Sequence, residues 1–164
     1  MAMPDAQKDE YLFDFAPISL WEDDYSAVKA RLGRSRRFPI SIVIADLNGL
    51  KVANDTRGHA EGDKLIRRMA EVLTASVRGD DVVARLGGDE FAVLLPATDA
   101  AARRQTIERV RSLVELNNKY YRTPVLSVAL GGATADGRAA LADTMRQADD
   151  EVYAEKRRQH AGRV

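Results

Sequence analysis

Residues 85–95 read Arg-Leu-Gly-Gly-Asp-Glu-Phe-Ala-Val-Leu-Leu, two apolar runs either side of Gly87, Gly88, Asp89 and Glu90. The pattern predicts a β-hairpin whose tip carries two adjacent carboxylates. Paired glycines supply the positive φ angles of a tight hairpin and leave no side chain in the way of a phosphate. Asp89 and Glu90 offer hard oxygen ligands of the kind Mg²⁺ prefers. A polyphosphate and metal site is one reading, and a solvated turn is the other. A second acidic element is needed to choose between them.

That element lies upstream. Ile40, Ile42, Val43 and Ile44 form a buried-strand run that ends at Ala45 and Asp46, which sets a carboxylate at a strand end. The chain continues Asp46-Leu-Asn-Gly-Leu-Lys-Val-Ala-Asn-Asp-Thr-Arg-Gly-His-Ala-Glu-Gly-Asp63. Together with Gly87 to Phe91, in this order and at this separation, the segment resembles the GGDEF family, the diguanylate cyclases that make cyclic di-GMP from GTP. The resemblance covers about residues 36 to 160. Residues 10–18 match the family's usual opening poorly, and residues 11–29 look faintly like the start of a PAS sensory domain.

Composition narrows the class. A chain of 164 residues with 45% hydrophobic and 30% charged content is long enough to bury one domain's core. Lys plus Arg and Asp plus Glu both number 25, so there is no global basic field, and nucleic acid is not an expected partner. Absence of cysteine excludes disulfides and thiolate zinc sites. No apolar stretch reaches the ~18 residues of a membrane span, and no signal-peptide layout is present. The expectation is a cytoplasmic protein without direct membrane insertion.

Along the chain, a disordered N-terminus over 1–9 is expected, then a lead-in over 10–37 with a helix near 21–32 and a basic loop at Arg34 to Arg37. The ordered domain should span 38–160, followed by a short tail over 161–164. Leu65, Ile66, Met69, Leu73 and Val77 recur at helical spacing and predict a helix over 60–77. Val82 to Leu86 and Phe91 to Leu95 read as strands, the second stopped by Pro96. Ile107, Val110 and Val114 line a helix over about 98–117, Val125 to Leu130 reads as a strand running into Gly131-Gly132, and Leu141, Met145, Ala148 and Val152 space a last helix toward Lys156. This order suits an α/β (α+β) domain with a mixed, mainly antiparallel central sheet flanked by helices, ferredoxin-like and similar to nucleotide cyclases, with the signature on a hairpin.

The resemblance implies roles for individual residues. Asp46 and Asp89 match the family's metal-binding carboxylates, with the Leu47 carbonyl as a further ligand. Glu90 is a second-metal ligand or the general base, and the choice between Asp89 and Glu90 as base stays open. Phosphoryl transfer with two Mg²⁺ or Mn²⁺ ions per GTP is the chemistry implied. The family often has a second acid where Asn48 stands, and an amide there removes a charge without removing an oxygen. Backbone N–H groups of Gly49, Leu50 and Lys51 open a helix start and can face phosphates, as can those of Gly87 and Gly88. Asn54 and Asp63 match the pair that reads guanine, a carboxylate accepting from N1–H and the exocyclic amine while an amide serves the O6 and N7 edge. His59 has no partner at ligand spacing and is expected to be a buried, hydrogen-bonded histidine.

Near the C-terminus, Ala148, Asp149, Val152, Tyr153 and Lys156 match a family segment whose lysine reaches the GTP phosphates. The family commonly continues with Gly and Arg where this chain has Gln159 and His160, so the chain lacks the second phosphate-binding cation unless His160 is protonated or Arg157, Arg158 or Arg163 substitutes. Arg78 and Asp81 stand where many members carry Arg-x-x-Asp, an inhibitory site for the product, and Arg109 matches a further arginine of it. The implied protein condenses two GTP across a homodimer, expels pyrophosphate, is restrained by cyclic di-GMP and is fused to a sensory or regulatory domain. Rival readings are a silent GTP or cyclic di-GMP sensor and a mononucleotide cyclase or polymerase-like nucleotidyl transferase with paired carboxylates on a similar sheet.

Overall fold

A computed structural model describes residues 38–135 and 141–162. The expectations for 1–37 and for Arg163 lie outside the described residues. Among the described residues eight elements follow in order: β1 (Ile40–Leu47), α1 (Leu50–Arg57), α2 (His59–Ser76), β2 (Val82–Gly87), β3 (Glu90–Leu95), α3 (Ala100–Tyr120), β4 (Val128–Ala135) and α4 (Leu141–Ala161). The four strands form one sheet in the order β2-β3-β1-β4, and every neighbouring pair is antiparallel.

Alternation along β1 sorts its side chains between two cores, because successive residues of a strand point to opposite faces. Val43, Ala45 and Leu47 join α2 and α3 through Leu65, Met69, Leu73, Ile107 and Val110. Ile42 and Ile44 face the other way, where Ala148 and Val152 of α4 cover them together with Leu94 and Val82. Asp46 continues the even-numbered row and so sits on the α4 side, and Glu90 shares that face with Ala92 and Leu94 on β3. Parity in two strands therefore aims both carboxylates at one helix.

Two expectations need correction. The strand read from Val125 runs instead from Val128 to Ala135, with Gly131 and Gly132 inside it. Leu126 has its backbone N–H and C=O bonded to the Asn118 side chain at 2.8 and 2.7 Å, so those groups are already satisfied before the ladder begins. Buried Arg68 holds the same connection by donating to Pro124 O at 2.6 Å and to Asn117 Oδ1 at 2.7 Å. Gly131 belongs in the strand because a Cβ there would run into the backbone of Ala148 and Val152, so the glycine lets α4 lie close on the sheet. His59 is exposed rather than buried, since it opens α2 and the buried residues of that helix start one turn later at Gly62.

Candidate active site

The hairpin closes as a two-residue turn, with Gly87 paired to Glu90 across Gly88 and Asp89. Gly87 has φ 153° and Gly88 φ 48°, the second a left-handed conformation that disfavours any side chain. Arg85 on β2 clamps this turn by donating from Nη2 at 2.8 Å and Nε at 3.1 Å to the Gly88 carbonyl. Glu90 is thus the first residue of β3, not a free tip residue, and it lies opposite Asp46 in the β1 register. Leu47 N–H donates to Asp89 O at 2.8 Å, tying the end of β1 to the turn. Asp46, Leu47, Asp89 and Glu90 are brought together, as the family resemblance implied.

Lys156 on α4 completes the cluster. Its Nζ is 2.6 Å from Asp46 Oδ2, in a pair whose aspartate side chain is only 7% exposed. Burial raises the Asp46 carboxyl above the usual aspartate range; the Lys156 hydrogen bond and charge pull it back, and Asp89 pushes it up again. Glu90 is raised too, first by desolvation, then by the negative charges of Asp46, Asp149 and Asp89, with Lys156 opposing them. Four acids and one lysine thus share a single electrostatic neighbourhood. Asp149 was not assigned by the motifs, although its spacing of two helical turns from Lys156 places it on the same side of α4.

Among the described residues no cluster of three or more His, Cys, Asp or Glu side chains is assembled as a metal cage. The donors still fit Mg²⁺ or Mn²⁺. Magnesium is held by one or two carboxylates plus substrate phosphates, and here a buried Asp46 faces Glu90 in an excess of negative charge beside the Leu47 backbone.

Gly49, the residue before α1, adopts φ 77°, and no side chain caps the helix start, so the Leu50 and Lys51 amides open α1 without a side-chain partner. The Asn54 side chain on α1 packs over Gly62 of α2, and its Oδ1 is buried without a hydrogen-bond partner. Asp63, next to Gly62, is exposed. The Asn54 amide oxygen, buried without a partner, thus lies against the helix that carries the accessible Asp63 carboxylate. His160 turns back along its own helix, its Nδ1 2.7 Å from Lys156 O, while Arg157 and Arg158 are exposed.

Arg78, Asp81 and Arg109 also converge, away from this cluster. Asp81 Oδ2 accepts from the Arg78 N–H at 2.7 Å, and Arg109 Nη1 donates to Ser76 O at 2.9 Å, capping the last turn of α2. Asp81 is buried while Arg78 is exposed.

The sequence model for "Diguanylate cyclase, GGDEF domain" matches residues 22–161. The chain belongs to the GGDEF diguanylate cyclase family. Diguanylate cyclase DosC of Escherichia coli K12 is 35% identical over 123 residues, which is 73% of this chain and 27% of that protein. The chain thus spans about a quarter of that relative's length. The GGDEF domain of DgcB from Caulobacter crescentus, solved with c-di-GMP, superposes with a TM-score of 0.67 at 29% identity, covering 82% of this chain and 80% of that one. The active GGEEF domain of a diguanylate cyclase from Vibrio cholerae gives 0.70 at 26% identity, covering 82% and 86%. The four-stranded antiparallel sheet and its flanking helices are thus those of a GGDEF domain, and among the described residues no helix is long and apolar enough to cross a membrane.

Proposed function

We propose that this chain is the catalytic domain of a diguanylate cyclase, converting two GTP into cyclic di-GMP and two pyrophosphates. The observation that carries the reading is the register that sets Asp46 opposite Glu90, with Lys156 bonded to Asp46. Each domain of a homodimer holds one GTP, and the two substrates meet across the dimer axis. Asn54 and Asp63 hold the guanine, the Gly49 to Lys51 amides and the glycines of the hairpin cradle phosphates, and Lys156 moves from Asp46 to the triphosphate.

Asp46, the Leu47 carbonyl, Asp89 and Glu90 would hold two Mg²⁺ or Mn²⁺ ions, which when bound neutralise the triphosphate and the departing pyrophosphate. Asp89 or Glu90 accepts the proton of the 3′-hydroxyl. That oxygen forms a bond to the α-phosphorus of the facing GTP as the bond to pyrophosphate breaks, and the second, reciprocal displacement closes the ring. Arg78, Asp81 and Arg109 form a product site, the exposed Arg78 guanidinium being free to stack on and fork to a guanine. The relatives are much longer than this chain, which supports fusion to a regulatory domain, and GTP as substrate supports a cytoplasmic location.

The test is incubation of concentrated protein with GTP and Mg²⁺, nucleotides resolved by chromatography, with Asp89→Ala in parallel. Cyclic di-GMP from the parent alone is the expected result. Binding of GTP or cyclic di-GMP without synthesis would replace the cyclase by a sensor module.

A further inference from the structure

One hydrogen-bonded chain of side chains reaches the 46–50 segment from α3 by way of α4. Arg111 on α3 donates from Nη2 to Glu155 Oε2 at 2.7 Å, and Glu155 is buried. Gln159, one turn on along α4, donates from Nε2 to Glu155 Oε1 at 3.1 Å and to Val128 O at 3.0 Å. A carboxylate and a carbonyl can only accept, so the orientation of the Gln159 amide is determined and Oε1 must be the end facing Asn48. Asn48 therefore presents Nδ2, which donates to Gln159 Oε1 at 2.9 Å and to Ser127 Oγ at 3.1 Å. Both amide protons of Asn48 are used. The polarity at Asn48 is thus set by the Val128 carbonyl and the Glu155 carboxylate, the latter held in place by Arg111.

The placement repeats the parity of β1. Asp46 meets Lys156 and Asn48 meets Gln159, so the last turns of α4 grip two positions of the segment that runs into α1. Asn48 N–H also donates to Ser127 O at 2.8 Å. Between these anchors lies Leu47, and directly after them Gly49 in its left-handed conformation.

We propose that Gln159 is a positioning residue for the site. Through Asn48 it holds the backbone of residues 46–50 in the arrangement that receives metal and phosphate, and Asn48 and Gln159 act as one matched pair of amides. The inference rests on the cyclase reading, since it assigns a purpose to the segment that reading uses. An aspartate at 48 would set an acceptor against the acceptor of Gln159, so the side chain that suits position 48 depends on the one at 159. Loss of a group that orients a metal ligand lowers metal affinity by roughly ten- to a hundredfold.

The experiment measures binding of 3′-deoxy-GTP, which lacks the attacking hydroxyl, as Mg²⁺ is titrated, for the parent, Gln159→Ala, Asn48→Ala, the double variant, Asn48→Asp and Asn48→Asp with Gln159→Gly. Thermal unfolding of each is recorded alongside. Roughly tenfold more Mg²⁺ should be needed for half-maximal binding by either alanine variant, and the double variant should be no worse than the weaker single. Asn48→Asp should be harmful while Gln159 is present and better tolerated when combined with Gln159→Gly. Multiplying effects of the two alanines, or an unmoved Mg²⁺ midpoint in Gln159→Ala, would overturn the proposal while leaving the cyclase reading intact. A parent that binds no 3′-deoxy-GTP would remove both. Gln159→Met, which keeps the bulk, replaces the alanine if that variant does not fold.

Discussion

Lys156 Nζ lies 2.6 Å from Asp46 Oδ2, so a cation from the last helix neutralises the carboxylate at the end of β1. Asp46 is 5% exposed, and removing its partner leaves a buried charge uncompensated. Lys156→Met is expected to cost about 1–2 kcal/mol, between the values for exposed and buried pairs. Added Mg²⁺ without nucleotide should raise the melting temperature of this variant more than that of the parent, because the ion takes over beside Asp46. Equal shifts in differential scanning fluorimetry would count against a shared position.

Glu90 leads to a pH prediction of definite sign. Its carboxyl is raised by desolvation and then by Asp46, Asp149 and Asp89, so ionising it is harder in the folded chain than in the unfolded one. Stability is therefore fully present below the unfolded pKa, where both states hold the proton, and is lost as pH rises through the folded value. Glu90→Gln should melt at a higher temperature than the parent at neutral pH, the gap closing toward about pH 4, the ordinary glutamate range. Cyclic di-GMP synthesis should fall. A gap that stayed constant across pH would show that the gain has another origin.

Gly62 lies under the Asn54 side chain, whose Cγ would be 2.8 Å from an added Cβ. The amide is the mobile partner in that clash, so Gly62→Ala should displace Asn54 while leaving the helix intact. At least a tenfold loss of GTP affinity is expected, on the order of one buried hydrogen bond to the base. Calorimetry with GTP and circular dichroism together separate this outcome from unfolding.

Arg78 is exposed and its backbone N–H, not its side chain, makes the turn with Asp81. Arg78→Ala should therefore leave folding and initial synthesis unchanged and relieve inhibition by cyclic di-GMP. Initial rates with added product decide this, and full retention of inhibition would refute the product site.

Gly131→Ala tests the contact of β4 with α4. The added methyl meets backbone at Ala148 and Val152, which cannot rotate away, and overpacking of this kind costs roughly 1–3 kcal/mol. Chemical denaturation should show that loss, and the grip of Lys156 on Asp46 should weaken with it as α4 is pushed off the sheet.

The strands and the hairpin were legible in the chain because period and turn chemistry are local, whereas the grouping of Asp46 with Asp89 and Glu90 came from the family resemblance. The apolar run from Ile40 to Ile44, glycines at 87 and 88, and the helical spacing of Leu65, Met69 and Leu73 each report through residues a few positions apart. The start of β4 was not legible, since it depends on Asn118 taking the backbone of Leu126 from a neighbouring helix. Neither was the exposure of His59, whose burial depends on where the core ends. The pairings of Asp46 with Lys156 and of Asn48 with Gln159 join positions 110 and 111 residues apart. Only the close approach of α4 to the sheet over Gly131 brings those side chains together. That approach is decided by packing between elements, for which no local pattern in the chain carries a signal.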